Sequence, residues 1–134
     1  MSQPIIVVFG ATGKQGGSVL RTLLADPATA SKYKLRAVTR DVAKPAAKSL
    51  TEQGVEVIAA DMDEKGSIEK AVQGAYGVFA VTDYWAKMDG PLEIKQGKTI
   101  ADAALVSWAS RMPFTRLYLG SRRKALRLFL VEEP

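Results

Sequence analysis

The chain has 134 residues, of which 47% are hydrophobic and 25% charged, a balance typical of a globular domain with its own core. It contains neither cysteine nor histidine, which excludes disulfides, thiolate metal sites and catalysis by Ser-His or Cys-His pairs within these residues. No apolar run approaches the roughly 18 residues that span a bilayer, and the first residues lack the features of a secretion signal. We therefore expect a cytoplasmic or also nuclear protein without membrane attachment.

The net charge of +5 is unevenly distributed along the chain. Residues 1–104 carry 13 basic and 12 acidic residues, whereas residues 105–134 carry 6 basic and 2 acidic residues. Lysine predominates in the first segment and arginine in the second. This shift in composition predicts a domain over residues 1–104, followed by an atypical basic tail over residues 105–134.

The segment "VVFGATGKQGGSV" predicts the first strand, turn and helix. The apolar run Ile5–Phe9 is typical of a strand that is buried on both faces of a parallel sheet. A glycine-rich turn over Gly10–Gly16 follows it. The helix predicted over Ser18–Leu24 has one apolar stripe, formed by Val19, Leu20, Leu23 and Leu24.

Strands and helices continue to alternate through the first segment. "ADPATASKY" predicts a loop, "DVAKPAAKSLTEQG" a short helix that is interrupted by Pro45 and stopped by Gly54, and Ser67–Val72 another helix. The remaining strands are predicted in "KLRAVTR", "VEVIAAD" and "YGVFAVTD". A last helix, Leu92–Leu105, is expected to pack through Ile94, Gly97, Ile100, Ala101 and Ala104. This order predicts an α/β fold, a doubly wound parallel sheet with helices on both faces.

The glycines after the first strand suit a phosphate-binding turn. Gly10 permits a sharp turn, Gly13 allows the backbone to approach a pyrophosphate, and Gly16 allows the helix to pack closely on the sheet. Phosphate would be bound by the free N–H groups and positive dipole at the helix N-terminus, assisted by Thr12 and Gln15. A structural turn without a ligand is the alternative.

The residue after the second strand distinguishes between dinucleotides. An acidic residue there binds the ribose hydroxyls of NAD, whereas arginine holds the 2′-phosphate of NADP. This sequence has Arg40, with Lys44 as a second positive charge and Asp41 as an opposing signal. We favour NADP(H) over NAD(H); a solvated, charged strand end is the alternative.

Further candidate cofactor-binding residues follow the third and fourth strands. Asp61 and Met62 could border an adenine ring, although Asp61 could instead cap the next helix. "DMDE" suits a solvated helix start better than a cation site. Thr82, Asp83 and Tyr84 follow the fourth strand at the mouth of the cleft, where Tyr84 could equally cover the strand ends.

Five blocks, "VFGATGKQGGSV", "VTRDVAKPAAKSL", "GVEVIAADMDE", "GAYGVFAVTDYW" and "EIKQGKTIADAA", resemble the NmrA-like family of atypical short-chain dehydrogenases/reductases over residues 4–104. The resemblance implies an NADP-preferring, Rossmann-like domain with a smaller substrate lobe built from later sequence. Gln96 and Lys98 also match the family pattern. The cofactor-binding residues that it implies are Gly10, Ala11, Thr12, Gly13, Lys14, Gln15, Gly16, Arg40, Lys44, Asp61, Met62, Thr82, Asp83 and Tyr84.

The resemblance implies one of two functions. Some members sense the nicotinamide redox state and regulate transcription through a protein partner such as a transcription factor; others reduce quinones or carbonyls. Catalytic members typically use a Tyr-x-x-x-Lys pair. The residues four positions after the four tyrosines of this chain are Ala37, Ala80, Met88 and Arg122, none of them lysine. We therefore favour a sensor, assign no catalytic residue, and keep an NAD(P)H-dependent oxidoreductase as the alternative.

The resemblance stops after "ADAA". The expected fold is accordingly an incomplete Rossmann-like sheet without the substrate lobe, with weak nucleotide affinity and no turnover. "TRLYLGS" could form a fifth strand and "RRKALRLFLVEE" an amphipathic basic helix. The composition favours a shifted reading frame or a mispredicted exon; a tail that binds nucleic acid or an acidic membrane, or an ordinary surface tail, are the alternatives.

Overall fold

A computed structural model of the chain describes residues 3–81, 90–109, 115–122 and 125–132. In the described part of the first 109 residues strands alternate with helices, apart from two consecutive helices after the first strand, and two further strands follow. The described elements are β1 (Ile5–Phe9), α1 (Lys14–Ala25), α2 (Pro27–Lys32), β2 (Lys34–Thr39), α3 (Pro45–Glu52), β3 (Glu56–Ala59), α4 (Lys65–Val72), β4 (Ala75–Val81), α5 (Gly90–Ala109), β5 (Thr115–Arg122) and β6 (Ala125–Glu132).

The described strands form one sheet in the order β3-β2-β1-β4-β6-β5. The first four strands of that order are mutually parallel, so the predicted doubly wound parallel sheet is confirmed. In the register of β1 with β2, Ile5 pairs with Lys34 and Phe9 with Val38. The carboxyl ends of β1 and β2 therefore meet at one edge, where loops begin.

Alternate residues of β1 anchor two hydrophobic clusters on opposite faces of the sheet. Val7 and Phe9 belong to the cluster that is packed by α4 and α5, whereas Val8 belongs to the cluster that includes Leu20 of α1. All three β1 side chains are fully buried. Burial on both faces explains why the run is continuously apolar instead of alternating.

The predicted loop "ADPATASKY" is wrong, because it contains the helix α2. Asp26 is the N-cap, and its carboxylate accepts hydrogen bonds from the Ala28 N–H at 3.3 Å and the Thr29 hydroxyl at 2.5 Å. Pro27 occupies the first turn, where its missing N–H costs nothing. The hydrogen bond from Thr29 lowers the pKa of Asp26 below its ordinary value. Asp followed by Pro was thus a helix-start signal.

The predicted basic helix over "RRKALRLFLVEE" is also wrong, whereas the strand predicted in "TRLYLGS" is confirmed as β5. β6 pairs antiparallel with β4, Val78 opposite Leu130 and Val81 opposite Arg127, and with β5 on its other side. The short apolar run of β6 thus extends the sheet by pairing with the edge of β4.

Helix α5 packs through a narrower stripe than predicted. Gly97, Ile100 and Ala104 are buried as expected, but Ile94 is 69% exposed. The helical rotation of about 100° per residue places Ile94 roughly 120° from Ile100 around the axis. The same rotation places Gln96 about 40° from Ile100, within the packing stripe.

Helix α3 begins at Pro45, so the predicted interruption at this proline is wrong, because proline suits the first turn of a helix. The helix ends in a Schellman motif, which confirms the role predicted for Gly54. The Val55 N–H donates to Leu50 and the Gly54 N–H to Thr51, both at 3.1 Å, and Gly54 has φ +84°. We expect Gly54→Ala to lower the free energy of unfolding by about 1 kcal/mol through backbone strain alone, because a Cβ would meet no atom within 4 Å. Urea unfolding measures this. Gly54→Asn should lose less, and an equal loss would contradict the strain argument.

Candidate functional site

The turn between β1 and α1 is fixed by glycine conformation and by a neighbouring strand. Gly10 has φ +64°, a left-handed conformation that favours glycine. The Gly13 N–H donates to the Gly10 carbonyl at 3.0 Å, and the Ala11 N–H donates to the Val38 carbonyl at 3.3 Å. The second bond ties the turn to the end of β2.

Gly16 brings α1 against the end of β1. A Cβ on Gly16 would lie 2.2 Å from the Gly10 carbonyl oxygen and 2.9 Å from that of Phe9, both backbone atoms. A Cβ on Gly13 would lie 3.2 Å from the Gly10 oxygen, which is tight but less severe. The helix can start this close to the strand only because residue 16 has no side chain.

The N-terminus of α1 is open. Gly13 is its N-cap and supplies no side-chain cap, and no acidic residue lies in the first turn. Within the described part of the chain, the N–H groups of Lys14, Gln15 and Gly16 have no intramolecular acceptor. Thr12 and Lys14 are exposed beside them. Free N–H groups and a positive dipole favour an anion at this place.

Two cations follow the end of β2. Arg40 comes directly after the strand and is exposed, and Lys44 is the exposed N-cap of α3. The Asp41 carboxylate accepts the Ala43 N–H at 2.9 Å, and among the described residues it forms no ion pair with Arg40. Asp41 therefore fixes the loop and leaves the arginine available.

The loop after β3 is anchored on several sides. The Ala60 N–H donates to Thr39 of β2 at 3.0 Å. The Ser67 hydroxyl accepts the Asp61 N–H at 3.0 Å, and the Asp61 carboxylate accepts the Asp63 N–H at 2.9 Å. The N-cap of α4 is Glu64, so Asp61 fixes the preceding turn and does not cap the helix as the alternative proposed.

Met62 contributes to the core as well as to this edge, since it is half-buried against the hydrophobic cluster of α4 and α5. Gln96 of α5 reaches the same loop, and its amide donates to the Asp63 carboxylate at 2.8 Å. No physical reason for Gln96 could be read from the sequence, and its match to the family pattern was the sole signal. Among the described residues, no group of three acidic side chains is arranged to hold a metal ion.

The parallel register thus brings the glycine turn, the two cations and the Asp61 loop to one edge of the sheet. The predicted residues Thr82, Asp83 and Tyr84 lie outside the described residues.

No helix in the described ranges has the length and apolarity needed to cross a membrane.

The parallel sheet, the glycine turn and the open helix N-terminus define an α/β protein of the Rossmann-like class. The sequence profile of the NmrA-like family matches residues 2–112, and the chain belongs to this family. It is 39% identical over 115 residues to FrzB of Cladobotryum sp, which is described as an NmrA-like family domain-containing oxidoreductase. That match covers 83% of this chain but 33% of FrzB, so the chain spans about a third of the length of this relative.

Solved structures show the same partial correspondence. Triphenylmethane reductase of Citrobacter sp., determined with NADP(H), is 34% identical with a TM-score of 0.63, and the match covers 78% of this chain and 34% of the reductase. NmrA, a negative transcriptional regulator determined with NAD, is 24% identical with a TM-score of 0.64, covering 80% of this chain and 31% of the regulator. The second likeness establishes the fold alone.

Proposed function

We propose that this chain binds NADP(H) and forms the dinucleotide-binding part of an NmrA-like oxidoreductase. The observation that carries the proposal is the open N-terminus of α1, held against β1 by the close approach at Gly16. Backbone N–H groups of residues 14–16 would bind the pyrophosphate, with Thr12 beside them. Gly10 and Gly13 would keep side chains away from the phosphate path.

The preference for NADP(H) rests on charge. Arg40 is exposed at the end of β2, and the neighbouring carboxylate of Asp41 is engaged by the loop backbone. A guanidinium can bind a phosphate through two parallel hydrogen bonds, and Lys44 adds a second cation. The structure of triphenylmethane reductase with NADP(H), at 34% identity, supports the same dinucleotide here.

We expect Arg40→Ala to raise the Kd for NADP about 10- to 100-fold, because a charge-assisted contact with the 2′-phosphate is lost. The Kd for NAD, which lacks this phosphate, should change less than about 2-fold. Isothermal titration calorimetry with both dinucleotides measures the two values. Lys48→Ala, an exposed cation on α3, is the matched control and should leave both unchanged. Equal losses for NADP and NAD in Arg40→Ala would refute the assignment.

The assignment to an oxidoreductase rests on the relatives, which include FrzB at 39% identity. Bound nicotinamide would supply a hydride, and the residues of this chain would hold the dinucleotide at the edge of the sheet. Because the chain spans about a third of such relatives, the residues that bind the acceptor are proposed to come from sequence corresponding to the remainder. A quinone or a carbonyl compound is the proposed acceptor class.

A redox-state sensor that acts through a protein partner, such as a transcription factor, is the second candidate. The sequence feature that favours it is the lack of a Tyr-x-x-x-Lys pair within these 134 residues. NADPH consumption with quinone and aldehyde acceptors, measured on a protein that includes the remaining family sequence, separates the two. Acceptor-dependent oxidation of NADPH supports the oxidoreductase, whereas tight NADP(H) binding without turnover supports the sensor.

A further inference from the structure

Helix α5 makes a side-chain hydrogen bond to the loop that is proposed to border adenine. Asp61 has its backbone N–H and carbonyl held by the Ser67 hydroxyl, each at 3.0 Å, so α4 fixes its main chain. Its carboxylate is held separately, because Oδ1 accepts the Asp63 N–H at 2.9 Å. Within the described part of the chain, no donor contacts the other oxygen, Oδ2. That oxygen is available to a ligand.

Gln96 holds the residue that orients this carboxylate. Its Nε2 donates to Oδ1 of Asp63 at 2.8 Å across 33 positions of sequence. Asp63 is thus held from α5 through its side chain and holds Asp61 through its backbone N–H. The three residues form a relay that runs from the helix to the free carboxylate oxygen.

The position of Gln96 on α5 suits this role. It lies one helical turn before Ile100, which is fully buried in the cluster shared by α4 and α5. Gln96 therefore extends the packing stripe of the helix towards the loop and is itself half-buried. The hydrogen bond to Asp63 anchors its amide although that bond is exposed, and the adjacent Lys95 is exposed as well. An anchored donor orients a loop more effectively than a mobile surface side chain.

We infer that Gln96 is a positioning residue for adenine recognition, acting through Asp63 on the free carboxylate oxygen of Asp61. This inference rests on the proposed function. The group that the oxygen would accept from is the exocyclic 6-amino group of adenine, the donor that an acceptor-only carboxylate recognises. The pyrophosphate and the 2′-phosphate would not depend on Gln96, since other elements bind them.

The test compares two ligands that differ at that group alone. Calorimetry gives the Kd of the full chain for NADP and for its deamino purine analogue, in which hydrogen replaces the 6-amino group and N1 stays an acceptor. The wild type should prefer NADP by about 3- to 10-fold, the value of one ordinary hydrogen bond, because the Asp61 carboxylate is partly exposed. Gln96→Ala should reduce this preference to less than about 2-fold, chiefly by weakening NADP binding. Lys95→Ala is the control and should keep the wild-type preference.

A double variant that exchanges the amide of Gln96 and the carboxylate of Asp63 separates positioning from stability. Gln96→Glu alone places a second carboxylate against Asp63 and should also abolish the preference. Combining it with Asp63→Asn restores one donor and one acceptor with their positions exchanged, and should recover the preference. A role confined to stability would change unfolding without changing the ratio of the two Kd values. A preserved ratio in Gln96→Ala overturns this inference alone, whereas failure of the wild type to bind NADP overturns the proposed function and the inference with it.

Discussion

Gly16→Ala is expected to lower the free energy of unfolding by about 3 kcal/mol, because the added methyl group has no space beside the end of β1. The new Cβ would lie 2.2 Å from the Gly10 carbonyl oxygen and 2.7 Å from its carbon. Both are backbone atoms at the end of β1, so no side chain can rotate away. Either α1 must move outward from the sheet or the turn must open, and both changes uncover the buried side chain of Leu20.

Urea unfolding followed by circular dichroism measures this loss, and Gly17→Ala is the matched control. Gly17 is the next residue of the same helix and is also buried. A Cβ there would first meet the Arg21 guanidinium at 3.3 Å, which can move, and the Ala11 carbonyl at an ordinary 3.4 Å. Its effect should stay within about 1 kcal/mol, since alanine also favours the helix. Similar losses in both variants would contradict the close-approach argument.

A glycine-to-alanine substitution in α4 should change the free energy of unfolding in the opposite direction, because the position has open space around it. Gly66 lies in the first turn of α4, and a Cβ would meet no atom within 4 Å. Gly66→Ala should raise the free energy of unfolding by about 0.5–1 kcal/mol, because the unfolded chain loses conformational freedom. A loss of stability in the same urea experiment would show that α4 does not tolerate a side chain at that position.

The first strand and the existence of the turn and helix could be predicted because their physical signals are local. The predicted start of the helix at Ser18 is wrong, since α1 begins at Lys14 and takes up the second half of the predicted turn. Ile5–Phe9 is continuously apolar. Of the glycines that follow, Gly10 adopts a positive φ and Gly16 has no space for a side chain. The same holds for Gly54, whose positive φ ends α3. Signals of this kind need no knowledge of distant residues, and the parallel order of strands follows from their alternation with helices.

The remaining features depend on partners far along the sequence. The pairing of β6 with β4 depends on a free sheet edge, which the amphipathic pattern of "RRKALRLFLVEE" does not reveal. Gln96 acquires a role only when α5 packs beside the loop containing Asp63. Arg36 lies in the middle of β2, where a charged residue predicts a solvent-exposed strand position, and yet it is 9% exposed. Whether a charged residue is buried was decided by tertiary packing.

Arg36→Met is expected to lower the free energy of unfolding by about 2–4 kcal/mol, although the substitution retains an unbranched apolar stem. Arg36 donates to Glu56 of β3 at 2.9 Å and to the carbonyls of Ala71 and Gln73 at 2.9 and 2.8 Å. Those carbonyls lie at the end of α4, where backbone acceptors lack partners within the helix. One guanidinium therefore joins two strands to a helix, and its removal leaves a part-buried carboxylate and two carbonyls without that donor.

Lys34→Met separates this effect from the mere loss of a positive charge near Glu56. The Lys34 ammonium lies 3.7 Å from the same carboxylate, but its side chain is 51% exposed, against 10% for Arg36. An exposed ion pair contributes little, so Lys34→Met should cost less than about 1 kcal/mol in the same urea experiment. Arg36→Lys should fall between the two, because an ammonium keeps the charge but cannot span three acceptors with a planar fork. If Arg36→Met and Lys34→Met cost the same, Arg36 contributes only its charge, and the end of α4 does not depend on it.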